Sequence, residues 1–428
     1  MLRQQENVNP QLLEESRGGD LGVFFPFPNV PSNLGSAEAN AETSTASPRD
    51  YTPAFPVVTP RASFHLPREI KGLRDIFLSK INILLVIIPF GVLSYILKQN
   101  TLLVFAFNFI ALVPLSSLLG AATEELALHT GEITGGLLNA TFGNAVEMIM
   151  AFQALKKGLI LVVQGTLLGS ILSNLLLVLG TSFLMGGMRY HVQKFNEKGA
   201  TCSTSLLLLA SLSISIPTLG GSAIHISKVD ILFISRISAM AVILMYVLFL
   251  LFQLRTHFHL FQDVRADDET EKELPGIGWV TGVVLLFIVT VFIAFISEFL
   301  VASIEPLIKG YGIKEDFIGV ILLPIVGNAA EHVTAVTVAA KNKVDLTIGV
   351  AIGSSVQIAL LVVPFTVISG WIIDQPMTLE FPILSALVLI LSVIVVTGIV
   401  QDGESNWLEG AMLIVAYSLV AVVFWYYN

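Results

Sequence analysis

Two glutamates stand where a carboxylate is expensive, because each lies inside a long apolar stretch. Glu147 ends the motif Gly-Asn-Ala-Val-Glu, and Glu331 ends the motif Gly-Asn-Ala-Ala-Glu. A charge at the centre of a membrane helix costs about 2.5–3.5 kcal/mol on insertion scales, so such a residue usually faces a cavity or a partner. Neither stretch has a Lys or Arg near its middle. Two carboxylates brought close together cannot both stay ionised cheaply, so they share protons or take up a divalent cation.

Neutral oxygens accompany both acids. Two asparagines lie three residues before them, on the same helix face, and three further side chains lie on the stretches that follow: Asn144, Asn328, Ser170, Ser354 and Gln357. Calcium takes six to eight oxygen ligands from carboxylates, carbonyls and water. The two stretches contain no Cys, and one His, His332, stands beside an acid, which disfavours a soft metal. The residues therefore predict a hard-cation site in which protons compete, the minimal chemistry of a proton–cation exchanger.

The two motifs belong to an internal duplication. Residues 132–174 align without a gap on residues 316–358, at an offset of 184 positions, and 11 of the 43 aligned positions are identical. The identities extend beyond the acidic motifs to small and polar residues of the next stretch: Gly165, Gly169 and Ser170, against Gly349, Gly353 and Ser354. Both acids therefore occupy equivalent places in two copies of one unit.

The composition indicates a polytopic membrane protein. Of 428 residues, 54% are hydrophobic and 13% are charged, whereas soluble domains carry about 25% charged residues. The net charge of −9 argues against a nucleic-acid partner, which requires basic faces. The single Cys202 excludes an intrachain disulfide.

Apolar stretches long enough to cross a bilayer number eleven, which predicts an all-α fold with eleven transmembrane helices. They fall at residues 77–97, 101–126, 133–155, 159–185, 203–219, 231–255, 277–300, 317–340, 344–369, 379–400 and 407–427. Glu147 lies in the third predicted helix and Glu331 in the eighth, an odd offset of five, so the two copies run in opposite directions and form inverted repeats. Inverted repeats place a substrate site near the membrane midplane.

The predicted layout is 1 + 5 + 5. Its parts are a first helix within 76–100, one repeat at 101–256, an acidic cytosolic linker at 257–276 and a second repeat at 277–428. Residues 1–75 are rich in Pro, Gly, Ser and Asn, which predicts a disordered tail. Basic residues flank the stretches mainly on the side of this tail, which predicts a cytosolic N-terminus.

Two further groups of acids lie outside the central motifs. The linker carries a run of acids, of which the first, second and last share one helix face by their four-residue spacing: Asp263, Asp267, Asp268 and Glu271. This run is either a segment that concentrates calcium or regulates transport, or a solvated loop. Glu124 and Glu298 stand near the ends of equivalent helices, where they either line an ion path or lie at the membrane interface.

The paired motifs, each followed by Gly-x-x-x-Gly-Ser, resemble the repeats of the calcium/cation–proton exchanger family, and the resemblance covers residues from about 76 to 427. It implies an antiporter that loads calcium into an acidic compartment, typically the vacuole, at the expense of the proton gradient. It also implies that Glu147 and Glu331 are the essential ligands for calcium and protons, with Asn144, Asn328, Ser354 and Gln357 around them. The acidic linker resembles the helix that joins the two halves in that family.

The expected partners are therefore calcium and protons as transported ions and the lipid bilayer, with no cofactor and no particular oligomeric state predicted. Two alternatives remain open among transport proteins. A sodium-driven calcium exchanger has a similar fold, although the two motifs fit that group less well. A cation channel would use the same ligands without moving any ion uphill. An intramembrane hydrolase that uses the two acids is a third class, and no protease motif accompanies them.

Overall fold

A computed structural model describes residues 66–130, 132–222, 224, 226–257, 260 and 274–426, and nearly all of them are helical. Two predicted segments fall mostly or wholly outside these residues. One is the N-terminal tail up to residue 65. The other is the acidic run of the linker, with Asp263, Asp267, Asp268 and Glu271.

The helices are numbered in chain order. The first half contains α1 (Leu66–Phe77), α2 (Lys80–Ile96), α3 (Thr101–Thr130), α4 (Glu132–Phe142), α5 (Ala145–Lys156), α6 (Ile160–Gly187), α7 (Glu197–Ser222) and α8 (Lys228–Thr256). The second half contains α9 (Trp279–Tyr311), α10 (Glu315–Gly327), α11 (Ala329–Ala339), α12 (Val344–Ile372), α13 (Ile383–Asp402) and α14 (Trp407–Tyr426). Two short strands, β1 (Gln193–Lys194) and β2 (Glu404–Ser405), pair antiparallel.

Local sequence signals fix several helix ends. The Ser227 hydroxyl accepts a hydrogen bond from the backbone N–H of Asp230 at the start of α8, which satisfies one of the unpaired donors of the first turn. Gly312, with φ of 67°, ends α9 in the left-handed conformation that glycine adopts without strain. Several helices extend beyond the predicted apolar stretches, because residues less apolar on average continue the helical backbone at their ends. For example, α9 runs on to Tyr311 where the stretch ends at residue 300.

Among the described residues, eight helices are long and apolar enough to cross a membrane, and up to ten spans result if each of two bent pairs counts as one. The bent pairs are α1 with α2, at 78°, and α10 with α11, at 57°. The predicted span at 133–155 corresponds to α4 and α5, which are separated by a break and stand outside this count. The fold is therefore a helical, multi-span one, and the number eleven and the 1 + 5 + 5 layout stay predictions.

One boundary differs from the prediction. Helix α1 occupies Leu66–Phe77, within the stretch predicted as a disordered tail up to residue 75. Composition alone misses this helix, because the contacts that hold it are tertiary. The Glu69 carboxylate accepts a hydrogen bond from the backbone N–H of Gly278, 2.8 Å away at the start of α9.

Helices of the two halves pack against each other around α6. Helix α3 packs along α9, α6 crosses α10 and contacts α14, α7 packs on α13, and α8 packs on α12. In the most apolar 18-residue segment of α6, 83% is buried inside the protein, the largest share among the candidate spans. The β1–β2 pair and the 3.0 Å ion pair between Lys194 and Glu404 join the loop after α6 to the loop after α13. The two halves thus share one core, with α6 at its centre.

The crossing of α6 and α10 is close because glycines line it. A β-carbon placed on Gly165 would lie 3.2 Å from the Cα of Gly319, and one placed on Gly169 would lie 2.6 Å from Cγ of Pro324. Small residues let membrane helices approach backbone to backbone. This crossing brings the polar residues of α6 beside those of the second repeat.

Candidate functional site

Both acidic motifs break a helix just before the acid. Helix α4 ends at Phe142 and α5 starts at Ala145, so that Asn144 stands in the break. Helix α10 ends at Gly327 and α11 starts at Ala329, with Asn328 between them. Each glutamate therefore lies in the first turn of a helix, where unpaired N–H groups and the positive end of the helix dipole favour an anion. Gly143 thus lies in the first break, and Gly327 is the last residue before the second.

Hydrogen bonds between the repeats bring the predicted ligands together. The Asn144 amide donates to Oε1 of Gln357 at 2.7 Å, and the Ser354 hydroxyl is 3.5 Å from Oδ1 of Asn144. The same hydroxyl donates to Oε1 of Glu331. Residues of the first and second copies therefore form one connected polar network.

The asparagine of the second motif in turn contacts the first copy. The Asn328 amide donates to the backbone carbonyl of Ser170 in α6, at 3.0 Å. Glu147 lies against the second motif as well, since a β-carbon on Gly327 would lie 2.6 Å from its Oε1. Only 3% of Glu147 is exposed, whereas Glu331 is half-buried. Both acids thus stand at one junction between the repeats, and they differ in accessibility.

Four buried oxygens at this junction have no hydrogen-bond partner in the described part of the chain: Glu147 Oε2, Ser170 Oγ, Asn174 Oδ1 and Asn328 Oδ1. A buried polar atom without a partner is costly unless water or an ion satisfies it. Within the described residues, no group of three or more His, Cys, Asp or Glu side chains is placed to hold a metal. The donor set is therefore two carboxylates and neutral oxygens, a set suited to a hard cation.

Asn174 belongs to this network, although the sequence did not single it out as a site residue. Its amide donates to Oε2 of Glu331 at 2.9 Å. The duplication concealed it, because the equivalent position in the second copy is the apolar Ile358. A π-helical turn of α6 runs from Ser173 to Val178, and such turns often mark functional sites. A sequence signal did exist, since Asn174 is an amide inside an apolar stretch, the same kind of position as the predicted ligands.

We expect Asn174→Ala to raise the calcium concentration for half-maximal transport about tenfold, since a hydrogen bond to a charged group contributes about 1.5 kcal/mol or more. The reason is that Glu331 loses the amide that orients its Oε2. Initial rates of calcium uptake at varied calcium concentration measure the effect. Asn139→Ala, the same change at an exposed position of α4, is the control and should match wild type. Equal kinetics of both variants would show that Asn174 does not position the acid.

Two further predicted acids, Glu124 and Glu298, are positioned by α3 and α9. Glu124 lines a cavity of about 330 Å³ with Ile76, Leu274 and its neighbour Glu125, and Glu298 lies on the exposed surface of α9. Glu125 has a structural contact that the sequence did not reveal: its Oε2 accepts backbone N–H groups of Gly276 and Ile277 at 2.7 and 3.2 Å.

Known proteins share this fold. The profile of the family described as sodium/calcium exchanger protein matches the chain twice, over residues 100–255 and 281–426. The vacuolar calcium ion transporter of Schizosaccharomyces pombe is 43% identical over 357 residues, which cover 82% of this chain and 85% of that protein. The Ca²⁺/H⁺ antiporter of Aphanothece halophytica is 42% identical, over 80% of this chain and 95% of that protein. The solved structure of native YfkE has a TM-score of 0.71 and 35% identity, covering 81% of this chain and 99% of that chain.

The structure contains two broken helices whose acids stand at one junction, and one family profile matches the sequence twice. Together these features define the class of protein. The chain belongs to the sodium/calcium exchanger protein family. Within that family its relatives place it among the calcium/cation–proton exchangers, which confirms the resemblance drawn from the paired motifs.

Proposed function

We propose that the protein is a secondary active antiporter that exchanges cytosolic Ca²⁺ for lumenal H⁺. The observation that carries this proposal is the polar junction in which Glu147 and Glu331, one from each copy, stand with buried oxygens that have no hydrogen-bond partner among the described residues. The named relatives support it, since they include a Ca²⁺/H⁺ antiporter and a vacuolar calcium ion transporter.

The same two carboxylates serve both ions. From the acidic lumen, protons bind Glu147 and Glu331 and neutralise them. When the site opens to the cytosol, Ca²⁺ displaces the protons, because two carboxylates compensate the charge of one divalent ion. The oxygens of Asn144, Asn328, Ser170, Ser354 and Gln357 complete the calcium ligands. Full occupancy by both ions is excluded, so transport is coupled without contact between them, and no cofactor takes part.

The membrane layout that fits this mechanism has eleven spans in a 1 + 5 + 5 arrangement. Counting the α4–α5 pair as a span adds one to the ten of the structure. This count is supported by the duplication, because α4 and α5 break at Asn144 as α10 and α11 break at Asn328. The double match of the family profile supports two equivalent repeats.

In the proposed orientation the N-terminus lies in the cytosol. The proposed location is the membrane of the vacuole or another acidic endomembrane compartment. The distribution of basic residues supports the orientation. Vacuolar transporters among the relatives support the compartment. Energy then comes from the proton gradient that such a compartment maintains.

Calcium uptake into proteoliposomes with an acidic interior tests the proposal. We expect uptake that depends on the pH gradient and that collapses when an exchanger of protons for potassium dissipates it. A sodium gradient of the same size, without a pH gradient, is the control. Uptake driven by sodium alone would identify a sodium–calcium exchanger. Flux that only follows the calcium gradient would identify a channel.

A further inference from the structure

Helix α1 carries an apolar stripe, most of which faces away from the rest of the protein. Leu66, Ile70, Leu73 and Phe77 follow a spacing of four, three and four residues, which puts them on one helix face. Leu73 packs against the core, whereas Leu66 and Ile70 are each 58% exposed and Phe77 is 42% exposed. Exposed apolar side chains of this kind are stabilised by burial, and a bilayer buries them when the helix lies at the membrane surface.

The direction of α1 fits the surface of the membrane. It meets α2, the segment that enters the membrane, at an angle of 78°. A helix nearly perpendicular to a span lies close to the membrane plane. The apolar stripe continues into Leu78, which is 69% exposed in the turn before α2. The chain therefore passes from an interfacial helix directly into a span.

Basic side chains outnumber exposed acids around α1, and Arg74 lies directly beside the stripe, four residues after Ile70 and three before Phe77. Arg68, Lys71, Arg74 and Lys80 are all exposed, and Asp75 is the one exposed acid among the residues of α1. The second acid of α1, Glu69, is buried against the start of α9. The charge pattern thus matches anionic headgroups. Such headgroups lie in the cytosolic leaflet, which is the leaflet on the side of α1 in the orientation proposed above.

The inner face of α1 is clamped to the start of the second half. Besides the bond from Glu69 to Gly278, the Arg68 guanidinium donates to the carbonyl of Pro275. A β-carbon on Gly72 would lie 2.5 Å from the carbonyl oxygen of Gly276, so the two backbones touch. The α9 helix has no side-chain cap of its own at Gly278, and the Glu69 carboxylate takes that place. The position of α1 therefore bears directly on the first turn of α9.

We infer that α1 is an interfacial helix that binds anionic phospholipids of the adjacent leaflet and thereby positions the start of α9. Lys71 and Arg74 bind headgroup phosphates, and the stripe enters the upper acyl region. Charge complementarity and the direct continuation into a span favour the bilayer over a protein partner. The inference stands apart from the proposed transport chemistry, because it concerns residues that do not touch the transported ions.

Cys202 is the only cysteine of the chain, so replacing it removes the background labelling. In a Cys202→Ser variant, Ile70→Cys is labelled with an environment-sensitive fluorophore, and Leu66→Cys provides a second, independent label position. The protein is placed in nanodiscs of phosphatidylcholine with or without phosphatidylserine. Quenching by lipids that carry a nitroxide on the acyl chain reports the depth of the label. This readout needs no transport, so it separates failure of the inference from failure of the proposed function.

We expect phosphatidylserine to shift both labels into the acyl region, with quenching at least doubled. The double variant Lys71→Gln, Arg74→Gln should weaken this docking about fivefold for each residue removed. Lys156→Gln, Lys157→Gln, the same charge loss at exposed positions at the end of α5, is the matched control and should behave as the parent. The inference is overturned if quenching is the same with and without phosphatidylserine. It is overturned as well if the control pair has the same effect as the α1 pair.

Discussion

Glu147→Gln and Glu331→Gln should each reduce proton-driven calcium uptake roughly 100-fold or more, because removing one partner of a buried charge pair, here a carboxylate that binds Ca²⁺, costs about 2–5 kcal/mol of binding free energy. Glutamine has nearly the shape of glutamate, but it neither takes up a proton in this range of pH nor compensates the charge of Ca²⁺. Both variants should remain folded, since a neutral amide is cheaper to bury than a carboxylate. Uptake into proteoliposomes with equal amounts of incorporated protein measures the loss.

The matched control is Glu305→Gln. Glu305 is an exposed acid of α9 that pairs with Lys309 at 2.5 Å, and an exposed pair contributes little to stability. Its uptake should equal that of wild type. If either motif variant retains more than about a tenth of wild-type uptake while the control is normal, the two acids do not form the shared site.

The second large effect concerns the crossing of α6 and α10. Gly169 and Gly353 are equivalent in the duplication, yet a β-carbon on Gly169 would meet the backbone of Val320 and the ring of Pro324, whereas one on Gly353 meets nothing within 4 Å. We therefore expect Gly169→Ala to lower the free energy of unfolding by about 1–3 kcal/mol, the usual cost of overpacking. Gly353→Ala should leave it unchanged or raise it slightly, since Ala favours a helix over Gly.

Thermal unfolding in detergent compares the two variants directly. The predicted difference is a fall of several degrees in the midpoint for Gly169→Ala alone. Gly165→Ala, where a β-carbon would lie 3.2 Å from the Cα of Gly319, should have a midpoint between those of the other two variants. Equal midpoints for the variants at Gly169 and Gly353 would mean that the helices are not packed at Gly169 as described.

Much of the site follows from the duplication. Because Glu147 and Glu331 recur at equivalent positions in apolar surroundings, their types alone predict a shared cation and proton site. The duplication does not predict Asn174, because an argument from symmetry rests on residues that recur in both copies. The equivalent position in the second copy is Ile358. The direction of the Asn174 side chain also depends on the π-helical turn that begins at Ser173, and no short-range sequence pattern specifies that turn.

The fold shows the same division between local and tertiary information. Apolar stretches predict the long helices, because burial in lipid requires every backbone group to bond within the helix. Helix α1 is not predicted, because its proline-rich neighbourhood resembles a tail and its contacts lie about two hundred residues away, at Gly278. Glu125 is similar, since a carboxylate near a helix end can face solvent or cap a distant segment, and only the tertiary structure decides.

Proton release on calcium binding tests the central claim most directly, namely that Glu147 and Glu331 hold either Ca²⁺ or protons. Calcium is added to the purified protein in weakly buffered, mildly acidic detergent solution, and a pH indicator records the protons set free. Wild type should release protons with each bound calcium, in amounts that fall as the pH is raised, and the double variant Glu147→Gln, Glu331→Gln should release none. Calcium binding to wild type without proton release at any pH, or equal release from the double variant, would contradict the account.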